Sequence, residues 1–246
     1  MNPDVAGRAI VLAAKVLGVG SLLAFGLFLL AGPVRLVELS TGVAGALAVD
    51  AALSLLFFVQ HSGMVRRSFR VRLEARLPLP YHGAVYTIAS GIALIFLLIL
   101  WQPTGDVLVG VGPPWRWLLR GLFVVAVAAF VWGLDSLGSF DGLGVRPLRA
   151  HLRGRTLREP RLEIRGPYRF VRHPLYTAVL VMIWSNPELT ADRLLFNLLW
   201  TAWILVAARL EERDLVADFG NAYRNYQRRV PMLLPAPWRR SETEST

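Results

Sequence analysis

The chain has 246 residues, 54% hydrophobic and 18% charged, with a mean hydropathy of +0.47. That composition excludes an ordinary water-soluble core. Twenty-seven Lys and Arg against 17 Asp and Glu give a net charge of +10, an excess that belongs to nucleic acid or to a membrane surface according to where it sits.

A hydrocarbon core of about 30 Å takes about 20 apolar residues in a helix. Four runs of that length occur in chain order, at residues 9–31, 42–60, 83–101 and 115–134. The first is too long and too weakly basic at its start for a cleaved signal peptide. Two shorter runs follow, 175–184 and 194–208, separated by the Pro-containing stretch 185–193; they read as a membrane-inserted helical hairpin. The predicted fold is therefore all-α, a polytopic membrane bundle of five to six segments. Residues 1–134 form N-terminal transmembrane helices. Residues 135–246 form a C-terminal core with a cytoplasmic loop, the hairpin and a tail whose last residues, 239–246, are expected to fray.

Every cation but Lys15 is an arginine. Residues 65–76 hold five arginines, 135–172 nine and 209–240 seven, together 21 of the 27 cations, whereas residues 102–114 hold none. If the segments alternate, all three basic stretches share one side, and the positive-inside bias makes that side and both termini cytoplasmic. The charge is thus topology and not a nucleic-acid footprint, because the arginines are not interleaved with exposed aromatics in a soluble module. No cysteine is present, which excludes disulfides, thiolate zinc sites, iron–sulfur clusters and a cysteine nucleophile. No metal-ligand spacing or phosphate loop appears. Lys15 is expected to snorkel, and Trp115 and Trp117 to anchor at the interface. Asp50 lies inside an apolar run, where an acid serves either function or a helix-packing hydrogen bond.

Two polar stretches are not explained by topology. The first, Arg165 to Tyr176, runs into the fifth apolar segment. Pro174 suits the first helical turn, which puts His173 at the helix entrance. Free backbone N–H groups, the positive end of the dipole and neighbouring Arg172 would make an anion site there. His173 and Tyr176, three apart, share a face. The second stretch, Arg209 to Asp214, ends the sixth segment, and an antiparallel hairpin returns Glu211 and Glu212 to the vicinity of His173. Phe219-Gly220 reads as a helix stop, followed by Tyr223 and Tyr226. An anion site facing carboxylates, with aromatics between, suits a zwitterion attached to a flat group, the pattern of S-adenosylmethionine.

Gly166, Tyr168, Arg172, His173, Pro174 and Tyr176, then Glu211 and Glu212, then Phe219, Gly220, Tyr223, Tyr226, Val230 and Pro231 resemble the C-terminal core of the isoprenylcysteine carboxyl methyltransferase superfamily. Gln60 to Met64, Arg67 to Arg70, Tyr86, Trp101-Gln102-Pro103, Leu210 to Leu215 and Pro231 to Pro235 are similar to its bacterial methanethiol S-methyltransferase branch, so the resemblance spans residues 55–235. It implies an S-adenosylmethionine-dependent enzyme of the bacterial inner membrane, with a cytoplasmic-side cofactor pocket contacted by Leu162, Glu163, Tyr168, Arg172, His173, Pro174, Leu175, Tyr176 and Glu211. The isoprenylcysteine enzymes carry a substrate-binding Arg four residues before the Glu that corresponds to Glu211. Here that position is Ala207, which removes the partner for a substrate carboxylate and favours a small thiol as acceptor.

A thiol with a pKa of about 8.5 is only a few per cent ionised at neutral pH, so a base or a cation is expected beside it; the candidate catalytic residues are His61, Glu212 and Arg209. Three alternatives stand beside this. One keeps the fold and methylates a prenylcysteine or lipid carboxyl, an amine or a phenol. Another is a sterol-reductase-like nicotinamide oxidoreductase, whose family pattern has an Asp just after the Tyr matching Tyr176 and a downstream Cys; here the stretch is Thr177-Ala178-Val179 and there is no Cys. The last is a binding or scaffold role without catalysis.

Overall fold

In lipid each backbone N–H must find its acceptor within its own segment, so the apolar runs propagate as helices. The computed structural model describes residues 3–39, 42–138, 141–156 and 162–235; the tail expected to fray lies outside them. The elements in chain order are α1 Pro3–Ala31, α2 Val43–Val65, α3 Arg67–Glu74, α4 His82–Leu100, β1 Val107–Gly110, α5 Trp115–Ser136, α6 Val145–Leu152, α7 Pro174–Trp184, β2 Glu188–Thr190, α8 Ala191–Phe219 and α9 Asn221–Arg229. Among the described residues five helices are long and apolar enough to cross a membrane: α1, α2, α4, α5 and α8. The protein is a multi-pass integral membrane protein of all-α class.

The two short apolar runs become unequal partners. The first gives α7, whose 11 residues cover about 16 Å, half of the hydrocarbon thickness. The second extends to the 29 residues of α8, because the good helix formers after Ala208 carry the helix through Glu211 and Glu212. Gly220, at φ +56°, ends it, a left-handed conformation open to glycine without penalty.

Contacts at the helix ends fix which termini share a face. On one face Arg66, at the end of α2, pairs with Asp214 of α8 at 3.1 Å, and Tyr81 packs on His151 of α6. Gly83 of α4 meets Gly144 so closely that a Cβ on Gly144 would lie 2.2 Å from the Gly83 carbonyl carbon. On the other face β1, from the α4–α5 loop, pairs antiparallel with β2, from the α7–α8 connection, with Val107 opposite Thr190 and Gly110 opposite Glu188. Asp192 there accepts from Trp101 Nε1 at 3.1 Å and from Thr104 Oγ1 at 2.8 Å. The guanidinium groups of Arg120 and Arg193 donate to the carbonyls of Leu30 and Leu29 at the end of α1. This explains a buried arginine in an apolar helix: it satisfies orphan carbonyls of another helix and complements the negative end of its dipole.

Between the faces the core is aromatic. Phe57 and Phe196 each stack on Trp200, with centroids 5.3 Å and 4.7 Å away. Phe58 stacks on Trp203 at 4.8 Å. These rings hold α2 against α8, while α1 packs on α4 and α6, and α5 on α7. The geometry brings the start of α7 and the end of α8 together on the face opposite the β-ribbon.

Candidate active site

His173 is the N-cap residue of α7 and Pro174 its first residue, as expected of a proline that needs no acceptor there. The buried His173 ring points at the end of α8, with Nε2 3.3 Å from Glu212 Oε1 and Nδ1 3.8 Å from Glu211 Oε2. Tyr176 stacks parallel on the His173 ring, 5.4 Å between centroids and 16° between planes, and donates its hydroxyl to Glu211 Oε2 at 2.8 Å.

The two adjacent glutamates have different surroundings. Glu212 accepts from Arg172 Nε at 2.5 Å and from Gln227 Nε2 at 3.0 Å, and its side chain is 12% exposed. Arg172 also donates to the carbonyls of Gln227 and Val230. Its guanidinium is therefore committed to a buried ion pair, and the anion site expected of Arg172 is reduced to the backbone N–H groups of the first α7 turn, which the His173 side chain does not cap. The Glu211 side chain is 46% exposed and faces Tyr176.

The C-terminal segment closes the wall. The carbonyls of Pro231 and Met232 accept from the backbone N–H groups of Arg172 and His173 at 2.9 and 3.1 Å. The Leu233 carbonyl accepts from Thr177 Oγ1 at 2.7 Å. Tyr226 of α9 donates to the Tyr168 carbonyl at 2.6 Å and packs edge-on against Tyr223. Burial pushes the phenols of Tyr168, Tyr223 and Tyr226 well above their ordinary range, and in Tyr168 the Glu211 charge adds to it. Burial thus favours the protonated phenol in all three.

The other predicted residues lie around this centre. Leu162 and Glu163 run along the end of α5, where Glu163 pairs with Arg165 at 3.6 Å and a Cβ on Gly138 would sit 3.3 Å from its Oε2. Leu175 packs against Gly133 of α5. Arg209 is exposed and lines an open groove of about 390 Å³ with Glu212, Arg213, Val216 and Gln227. His61 is not brought to the His173–glutamate centre by direct contact; it lies on α2 against Tyr86 of α4, whose hydroxyl is 2.9 Å from Nε2. Gln227 and the Arg66–Asp214 clamp escaped sequence reasoning. Gln227 was recoverable from α9, where residues at 223, 226 and 227 share the face turned inward.

Glu211 accepts a hydrogen bond from Tyr176, is nearly half exposed, and faces an uncapped helix N-terminus across two stacked rings. It offers an anion beside the start of α7, where the N–H groups of Leu175 and Tyr176 have no side-chain cap. Methanethiol S-methyltransferase of Pseudomonas deceptionensis is 38% identical over 78% of this chain, covering 73% of that protein. The methanethiol S-methyltransferase of Mycobacterium tuberculosis is 35% identical over 79% of this chain and 80% of that protein. Nurim of Rattus norvegicus is 30% identical over 70% of this chain and 69% of its own length. No protein-family model and no solved structure matches the chain. With these methyltransferase relatives 35–38% identical over more than two thirds of their length, the chain belongs to the methanethiol S-methyltransferase family.

Proposed function

We propose that the protein is an integral-membrane thiol S-methyltransferase that uses S-adenosylmethionine to convert methanethiol to dimethyl sulfide. The observation that carries this is the meeting of the α7 entrance with Glu211 and Glu212, in a chain whose relatives bear the name of that activity. When bound, S-adenosylmethionine supplies an electrophilic methyl group on a sulfonium. The residues present fit it. Glu211 keeps oxygen lone pairs for an ammonium, and the N–H groups of Leu175 and Tyr176 in the first turn of α7 are proposed to take a carboxylate. Leu162, Glu163, Tyr168, Pro174, Leu175 and Tyr176 are proposed to complete the cofactor wall.

Methyl transfer from a sulfonium asks mainly for alignment, so the chain's task is to hold the reactants in line and exclude water. His173 and Arg172 hold the glutamates in place. Glu212, saturated by Arg172, Gln227 and His173, supports the site and is a poor candidate for the base. Arg209, exposed on α8, is free to attract the thiolate electrostatically. His61 is the remaining group able to take a proton. Ala207 leaves no cation for a substrate carboxylate, and an apolar substrate and product exchange directly with the bilayer. Both termini and the site face the cytoplasm of the bacterial inner membrane, by the arginine distribution.

The test is turnover by the purified protein in detergent. Headspace analysis should detect dimethyl sulfide from methanethiol and S-adenosylmethionine, and calorimetric titration should detect donor binding. Donor binding without dimethyl sulfide would move the acceptor to another class, and absence of donor binding would overturn the proposal.

A further inference from the structure

The methyl acceptor needs a place of its own, and the polar groups between α2 and α4 have no role in holding the donor. His61 is hydrogen-bonded to Tyr86, whose hydroxyl lies 2.9 Å from Nε2 and 3.2 Å from Nδ1. The His61 ring stacks on Phe57 at 5.1 Å, which stacks in turn on Trp200. Beside His61, Gln60 donates to Met64 Sδ at 3.1 Å and to Ser90 Oγ at 3.3 Å. Its Oε1 is buried without a partner, a costly state that a donor from a ligand would relieve. The guanidinium of Arg66, at the end of the same helix, is occupied by Asp214. Tyr86 in turn lies within electrostatic reach of Tyr176 and Glu211 on the donor side.

We propose that Gln60, His61 and Tyr86 form the acceptor subsite for a small neutral thiol, and that Tyr86 relays the thiol proton to His61. This rests on the methyl-transfer function proposed above. The subsite contains an imidazole, a hydroxyl, an orphan amide oxygen and aromatic walls, and among the described side chains no unpaired cation. It suits a thiol and rejects a carboxylate. In the step, the S–H bond breaks and its proton passes to the Tyr86 oxygen as the Tyr86 proton passes to a His61 nitrogen. The S–H electron pair stays on sulfur to form the new carbon–sulfur bond, the pair of the broken donor bond stays with the departing sulfur, and the positive charge lost there reappears on the imidazolium.

The test compares Tyr86→Phe, His61→Gln and the double variant with the unaltered protein. Each single change is expected to lower kcat/KM for methanethiol at pH 7 at least tenfold, with donor affinity within twofold by calorimetry. The double variant should lose no more than the worse single one, because one relay is broken in each. The deficit should shrink as pH rises past the thiol pKa, where solvent supplies the thiolate. Without donor, added methanethiol should shift the His61 imidazole ¹⁵N resonances in the unaltered protein and not in Tyr86→Phe. Overturning results are an unchanged kcat/KM in both single variants, a deficit independent of pH, additive losses, or impaired donor binding in Tyr86→Phe. Failure of the unaltered protein to bind donor would instead strike the function itself.

Discussion

Arg172 Nε and Glu212 Oε1 lie 2.5 Å apart across 40 residues of chain, while the next carboxylate, Glu211, takes its hydrogen bond from Tyr176. Successive residues on a helix point about 100° apart, so one glutamate is buried in an ion pair and its neighbour opens to the site. Under the proposed function, two residues of one type thereby divide stability and donor binding between them.

Glu212→Gln should destabilise the protein by about 3–5 kcal/mol, the cost of leaving a buried partner charge unpaired. Glu211→Gln should leave stability unchanged and weaken donor binding at least tenfold, about 1.4 kcal/mol. Thermal unfolding in detergent and calorimetric titration separate the two; equal effects on both variants would contradict the division.

His173→Ala should weaken donor binding at least tenfold, about 1.4 kcal/mol, because it removes the ring stacked on Tyr176 and loosens both glutamates. Titration should show the loss while the protein still elutes as a folded species from size exclusion.

Much of this centre is legible in the linear chain. Four of the five spanning helices stand out as apolar runs, and a hairpin's antiparallel return brings Glu211 and Glu212 to His173. Three things are not legible. An apolar run cannot show that α8 continues eleven residues past Ala208, since amphipathic helix formers extend a helix without adding hydropathy. Adjacency of Glu211 and Glu212 cannot show which one faces Arg172, because that depends on the angular position of α8. The Tyr86–His61 pair joins α2 to α4 over 25 residues, and only packing decides which residues of two apolar helices meet.

Gly144→Ala should lower stability by at least about 2 kcal/mol. The residue sits at φ +61° and its new methyl would strike the Gly83 backbone; the left-handed conformation alone costs about 1–2 kcal/mol. Gly154→Ala, at the same φ of +61° with open space around it, serves as the control and should cost less, by thermal unfolding.

Arg193→Met should remove the guanidinium donor to the Leu29 carbonyl and cost about 1.5–3 kcal/mol, the range for a hydrogen bond to a charged group. Donor affinity should remain within twofold, since Arg193 lies at the opposite end of α8 from Glu211. A selective loss of affinity with intact stability would disprove its capping role.

The native chain has no cysteine, so single cysteines report sidedness directly. Val109→Cys on the exposed β-ribbon should react with an impermeant maleimide in intact cells. Arg224→Cys on α9 should react only after the membrane is opened. Reaction of both in intact cells would reverse the proposed orientation.

The chain leading into α7 has backbone N–H groups that no helix of its own satisfies. The carbonyls of Pro231, Met232 and Leu233 answer that need, so residues that look like an appendage act as a plug. A protein cut short after Arg229 would be expected to leak solvent into the floor of its own pocket, and any molecule that pried the plug loose would disable the enzyme from a distance.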